Sequence, residues 1–173
     1  VTSAAPAHRI VVMGVSGVGK STVGAALADR LGLPFVDADD LHPAANKNLM
    51  SQGIPLTDED RWPWLALVGA ALAQAPAGMV IACSALKRAY RDLIRSTCPD
   101  TRFVLLDADR DLVASRLKAR AGHFMPPTLL DSQLAILEPL ASDEPGCTVP
   151  AALARIEVVD RAASTLLDSA CQL

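Results

Sequence analysis

The chain has 173 residues, of which 51% are hydrophobic, 20% charged and only 3% aromatic, and its formal net charge is −3. That length suits one folded domain with a substantial core, which must be built from Ala, Val, Leu and Ile. The small negative charge argues against a nucleic-acid-coating surface, and no stretch approaches the length of a membrane span, so neither nucleic acid nor membrane is expected as a partner.

The N-terminal VTSAAPAHR has no long apolar run, so the sequence predicts no signal peptide and a cytoplasmic location. Residues 9–14 read as a buried strand leading into GVSGVGKS, Gly14 to Ser21, which fits the phosphate-binding pattern G-x-x-x-x-G-K-S/T. Gly14, Gly17 and Gly19 permit a tight turn that brings N–H groups close to an anion. Lys20 suits the β- and γ-phosphates, and the Ser21 hydroxyl suits Mg²⁺. ATP contacts are therefore expected along Gly14, Val15, Ser16, Gly17, Val18, Gly19, Lys20, Ser21 and Thr22. A helix over about 20–31 follows, with Val23, Leu27 and Leu31 on one face and Gly32 as its stop.

Residues 33–37 read as strand two, ending in Asp37-Ala38-Asp39-Asp40. A loop-rich stretch covers 41–65, and a helix over 60–74 is expected with Asp60 as N-cap and Pro63 in its first turn. Strand three spans 78–83, and Ser84 is expected to open a helix to about 96. Strand four covers 102–106, and a basic helix runs from 109 to 121. GHFMPP breaks it, Thr128 is expected to cap a helix to about 137, and a short strand at 147–149 precedes a closing helix over 153–170. Strands alternating with helices indicate an α/β domain with a parallel sheet, taken as one unit over 1–173. The four cysteines, at 83, 98, 147 and 171, form no C-x-x-C pair and read as reduced thiols.

Ligands of such sheets sit beyond the carboxyl ends of the strands, where four polar clusters should meet. Asp37 and Asp39 alternate on an extended segment and so point the same way. One suits Mg²⁺, and the other suits the proton of an attacking hydroxyl. Asp107, which ends an apolar run, is a rival metal ligand. The second cluster is His42, Asn46, Lys47 and Asp58 to Arg61, dense in partners for a polyhydroxylated substrate. Each buried hydroxyl left unpaired costs about 1–3 kcal/mol. The third is Lys87, Tyr90 and Arg91, expected on one helical face where an anionic substrate would lie. The fourth is Arg116, Arg120, His123 and Phe124, laid out as a lid over about 116–127 whose arginines close on phosphates.

These blocks resemble the gluconate kinases, small P-loop kinases related in fold to shikimate kinases. The resemblance is carried by GVSGVGKS at 14–21, VDADDLHP at 36–43, GIPLTDEDRWPWL at 53–65, CSALKRAYRDLIR at 83–95 and RLKARAGHFMPPTLLDSQLAILEPL at 116–140. It implies a three-layer α/β P-loop kinase fold with a five-stranded parallel sheet in the order 2-3-1-4-5 and a mobile helical lid, commonly a homodimer. It also implies phosphorylation of D-gluconate at its 6-hydroxyl by ATP. The matching D-x-D of shikimate kinases assigns Asp39 to the base and Asp37, with Ser21, to the metal. Lys20, Arg116 and Arg120 are then the catalytic cations, and Asp39, His42, Arg61, Lys87, Tyr90, Arg91 and His123 hold the substrate. Leu49 stands where the family's N-x-x-K-M run has Lys, and after Gly146 the match is weak, so no adenine contact is assigned. A shikimate kinase would carry Gly-Gly-Gly where this chain has Cys83-Ser84-Ala85. A non-catalytic ATP-gated binding module would explain the loop and lid but not the His42 to Arg61 pocket.

Overall fold

A computed structural model describes residues 7–120 and 127–168. Five parallel strands, β1 (His8–Met13), β2 (Phe35–Asp37), β3 (Gly78–Ala82), β4 (Arg102–Asp107) and β5 (Gly146–Pro150), form one sheet in the order β2-β3-β1-β4-β5. The order matches the one the resemblance implies. The helices are α1 (Lys20–Leu31), α2 (Ala44–Ser51), α3 (Asp58–Gln74), α4 (Arg88–Thr97), α5 (Arg110–Ala119), α6 (Pro127–Ile136) and α7 (Arg155–Asp168). A 3₁₀ turn over Ala38–Leu41 continues from β2.

Alternation along the strands divides the core into two layers. Ile10, Val12, Val80, Val104 and Leu106 pack with Leu27 of α1 and Val158 and Ala162 of α7. Val11, Met13, Ile81, Phe103 and Leu105 pack on the other face with Leu65, Val68 and Leu72 of α3 and Ile94 of α4. Both layers are mostly aliphatic, as the composition requires. The central strands β1 and β4 are covered on both faces, which explains their continuous apolar runs.

The larger departures from the sequence expectations fall in the helices. Helix α2 lies inside the stretch read as loop. Its one buried residue is Asn46, so it carries no apolar periodicity to reveal it. Helix α3 begins at Asp58 rather than after Asp60. Thr57 is the N-cap, and Asp60 closes a reciprocal capping box with it. Pro63 therefore lies past the first turn, where it cannot donate to the Glu59 carbonyl. Helix α4 begins at Arg88, not Ser84, because Ala85 adopts φ 43 and breaks the turn. That left-handed conformation costs about 1–2 kcal/mol. It is offset by Arg91, whose guanidinium donates to the Ala85 and Leu86 carbonyls. Helix α6 begins at Pro127, which places Thr128 inside it rather than at its cap.

Candidate active site

Residues 14–21 leave β1 at its carboxyl end and turn into α1. Gly17 has φ 83, and a Cβ there would come within 2.6 Å of Leu117 on α5. Gly19 is the α1 N-cap at φ 109. No side chain caps this helix, and its first turn has no acidic residue. The N–H groups and the positive end of the helix dipole are thus presented to an anion, as polyphosphate binding requires. The Lys20 Nζ donates to the Val15 carbonyl at 3.1 Å, folding back over the loop. Burial pushes its ammonium below the ordinary lysine value and Arg120 adds to this, while Asp39 and Asp37 oppose it.

Beside the loop, the Ser21 Oγ donates to the Asp37 Oδ2 at 2.5 Å, joining the two residues assigned to the metal. The other Asp37 oxygen accepts from the Asp39 N–H at 3.0 Å and fixes the turn that presents Asp39. Asp39 is exposed, yet the surrounding protein and the Asp37 charge hold its carboxyl above the usual range. Lys20 and His42 pull the other way. Asp107 ends β4 in register with Pro150 of β5, on the far side of β1 from Asp37.

His42 is buried and stacked on Trp64, with centroids 4.1 Å apart and planes within 13°. Trp64 in turn donates to the Ala38 carbonyl at 2.7 Å. Asn46 donates to the Asp60 carbonyl at 2.8 Å and sits 3.3 Å from the His42 Nδ1. With the Asn46 amide as donor, Nδ1 is the acceptor and the ring proton lies on Nε2, which stands 4.0 Å from Asp39. Burial lowers the His42 pKa, with Asp39 opposing. His42 therefore buttresses the carboxylate turn from below.

Further along the cleft, Asp58 at the start of α3 gathers the expected substrate cations around itself. Lys87 Nζ donates to its two oxygens at 2.8 and 3.1 Å, the Tyr90 hydroxyl donates to Oδ1, and Arg61 stands 3.8 Å away. Lys87 and Arg61 also lie 5.4 and 5.9 Å from the Tyr90 ring centre. Hydrogen bonds from Lys87 and Tyr90 hold the Asp58 carboxyl below its usual range. Lys87 and Tyr90 thus meet as expected, although Lys87 is the N-cap of α4 and not part of a shared helical face.

Arg91 does not join them, and its expected substrate role is corrected. It is fully buried, pairs with Glu144 through Nε and Nη2, and spends Nη1 on the Ala85, Leu86 and Glu138 carbonyls. It ties the segment before β5 to α4. Arg116 has backbone partners here. Its guanidinium donates to the Val18 carbonyl at 2.8 Å and the Ala151 carbonyl at 2.6 Å, clamping the phosphate loop to the turn after β5. Arg120 caps the end of α5 in an extended conformation, so the two arginines do not share a helical face. Arg120 is exposed and close enough to Lys20 to bias its charge. His123 and Phe124, with the lid tip, lie outside the described residues. Cys83, at the carboxyl end of β3 near Lys20, is inert as a nucleophile because burial pushes its thiol up to about 12. Trp64 and Glu144 are missing from the sequence-derived clusters, and Asp58 was placed in the second of them without its link to Lys87 and Tyr90. The clustering of both tryptophans with the carboxylates of 58–60 was the available signal.

A phosphate loop entering α1 from the central strand, with two carboxylates at the end of β2, defines a P-loop small-molecule kinase. The shikimate kinase family profile matches residues 16–145. A gluconokinase of Gluconobacter oxydans is 52% identical over 139 residues, covering 79% of this chain and 78% of that one. The thermosensitive gluconokinase of Escherichia coli is 47% identical over 140 residues, covering 79% and 75%. The crystal structure of a gluconokinase from Sinorhizobium meliloti superposes with a TM-score of 0.87 at 47% identity, covering 94% and 93%. The chain belongs to the gluconokinase family, within the wider fold group of the shikimate kinases.

Proposed function

We propose that the protein transfers the γ-phosphate of ATP to the 6-hydroxyl of D-gluconate, giving 6-phospho-D-gluconate. What carries this reading is the placement of Asp37 and Asp39 beside Lys20 and Ser21, in a chain of this family. The bare N-terminus of α1 receives the phosphates, and Lys20 follows the charge of the transferring group. Magnesium fits the hydroxyl and carboxylate oxygens of Ser21 and Asp37, which already converge, and would neutralise phosphate charge when bound. Asp39 accepts the proton of the attacking hydroxyl. Its raised pKa makes the ionised carboxylate a stronger base than an ordinary aspartate.

Arg61, Lys87 and Tyr90 line the acceptor end, with His42 supporting it, and a substrate carboxylate suits their charge. Arg120, exposed beside Lys20, approaches the phosphates together with Arg116 from a lid over 116–127 that also carries His123. We also propose a cytoplasmic homodimer, as the family resemblance implies, which analytical ultracentrifugation would check. Among the described residues no helix is long and apolar enough to cross a membrane.

A coupled assay of ADP release with gluconate, with shikimate and with no acceptor tests the function. Gluconate-dependent turnover is expected, with shikimate at background. Turnover with shikimate would transfer the site to that acceptor, and nucleotide binding without acceptor-dependent turnover would favour an ATP-gated module.

A further inference from the structure

Residues 84–86, between β3 and the α4 N-cap Lys87, lie in no helix or strand, yet each of their carbonyls is taken. The Ser84 carbonyl accepts from the Gly14 N–H at 3.3 Å. The Ala85 carbonyl accepts from Nη1 of Arg91 at 3.2 Å. The Leu86 carbonyl accepts from the same Nη1 at 3.2 Å and from the Glu138 N–H at 2.8 Å. The pivot of this run is Ala85, whose φ of 43 is left-handed although it carries a Cβ. Its methyl is fully buried in the core layer that holds Met13, Trp64 and Tyr90. Arg91 is fixed in turn. Glu144 accepts from its Nε and Nη2, and both side chains are buried.

We propose that Arg91 is a positioning residue: with Glu144 it holds Ala85 in the left-handed conformation and so aims Lys87 at the acceptor end of the cleft. The inference rests on the acceptor role given to Lys87 above. A buried ion pair contributes little net stability over apolar residues of similar volume. What this pair supplies is geometry, because one planar guanidinium fixes the directions of two successive carbonyls. An alanine released from those bonds returns to negative φ, the range that a Cβ favours. Lys87 stands two residues further on, with its Nζ at 2.8 and 3.1 Å from the Asp58 oxygens. Rotation of the backbone at Ala85 carries Lys87 away from that contact. Tyr90 and Ile94, buried in the layer with α3, stay in place. Arg91 is itself fully buried, so it acts through this backbone.

The test compares the wild-type chain with Arg91→Met/Glu144→Leu, which leaves no buried charge, and with the same pair carrying Ala85→Gly. Steady-state kinetics should show the gluconate KM of the double variant raised about five- to twentyfold and its ATP KM within about twofold of wild type. The Glu138 amide, which donates to the Leu86 carbonyl, should exchange about tenfold faster in the double variant. Adding Ala85→Gly should recover both readouts by at least about twofold, since glycine adopts positive φ without steric cost. An unchanged gluconate KM, equal rises for gluconate and ATP, or no recovery with Ala85→Gly would overturn the proposal and leave Arg91 a structural strut. Should the double variant fail to fold, Arg91→Lys carries the same expectations, because its ammonium keeps Glu144 paired but cannot span the carbonyls. A wild type without gluconate-dependent turnover would instead remove the acceptor reading, and the Glu138 exchange would still decide whether Arg91 holds Ala85.

Discussion

The two ends of the cleft are built on opposite principles. At the phosphate end the helix donors stand open: α1 has no side-chain cap, Lys20 is held over the loop by a backbone carbonyl rather than by a carboxylate, and the Ser16 N–H meets only the neutral Gln133 amide. At the acceptor end the donors are already matched, with Lys87, Tyr90 and Arg61 gathered on Asp58. An open site carries the full electrostatic attraction for its ligand, whereas a self-paired site offers only the difference between substrate and resident anion. The phosphate end is thus set for affinity and charge stabilisation. The acceptor end is set for selection, because a ligand must replace the contacts that Asp58 makes.

The largest break in that contrast is Lys20→Ala. It removes the cation that follows the transferring group, and turnover should fall by about two to three orders of magnitude with the fold retained. Steady-state kinetics beside circular dichroism would show this, and near-wild-type turnover would mean that the phosphate end works differently.

Next comes Arg91→Ala, which attacks the support of the acceptor end rather than its contacts. Leaving Glu144 buried and unpaired should cost about 3–5 kcal/mol, read as a fall in unfolding midpoint on the order of 10 °C. Replacing both partners, as in Arg91→Met with Glu144→Leu, should restore most of that loss. Burial pushes the Glu144 carboxyl up, but its hydrogen bonds with Arg91 and the Ala141 N–H outweigh this and leave the pKa lowered. A carboxylate of depressed pKa stabilises above its ordinary pKa and loses that contribution as pH falls through the folded value. The double variant should therefore lose less stability than wild type between about pH 5 and pH 3. An equal acid loss in both would place that pH dependence elsewhere.

The smallest effect, and the one that most sharpens the comparison, is Asp58→Asn. With the resident anion neutralised, Lys87 and Arg61 should take the substrate carboxylate more readily. KM for gluconate should fall about two- to fivefold while kcat changes little. A rise in KM would instead put Asp58 among the groups that hold the sugar acid.

The phosphate end was legible because its chemistry is local. Glycines, Lys20 and Ser21 act within eight residues, and Asp37 and Asp39 within three, so short-range backbone geometry is enough to place them. The strand order followed from the family resemblance, and the apolar runs that form β1, β3 and β4 are visible in composition alone. The roles of the arginines were not legible. A guanidinium has the same sequence signature whether it meets a phosphate, a carboxylate or a row of carbonyls. Arg91 was read as a ligand and is a buried strut for Glu144, and Arg116, read as a lid arginine, also meets the Val18 and Ala151 carbonyls. Helix α2 was hidden because its one buried residue is polar. The Gln133 contact has no sequence signal at all, since it joins residues 117 apart. What the sequence by itself determined is the loop, the strand-end carboxylates and the aliphatic layers, all set by spacing and hydrophobic period. Which charged side chains stay open to a ligand and which are spent inside the protein was decided by the tertiary structure alone, because pairing depends on which distant partner the fold delivers within 3 Å.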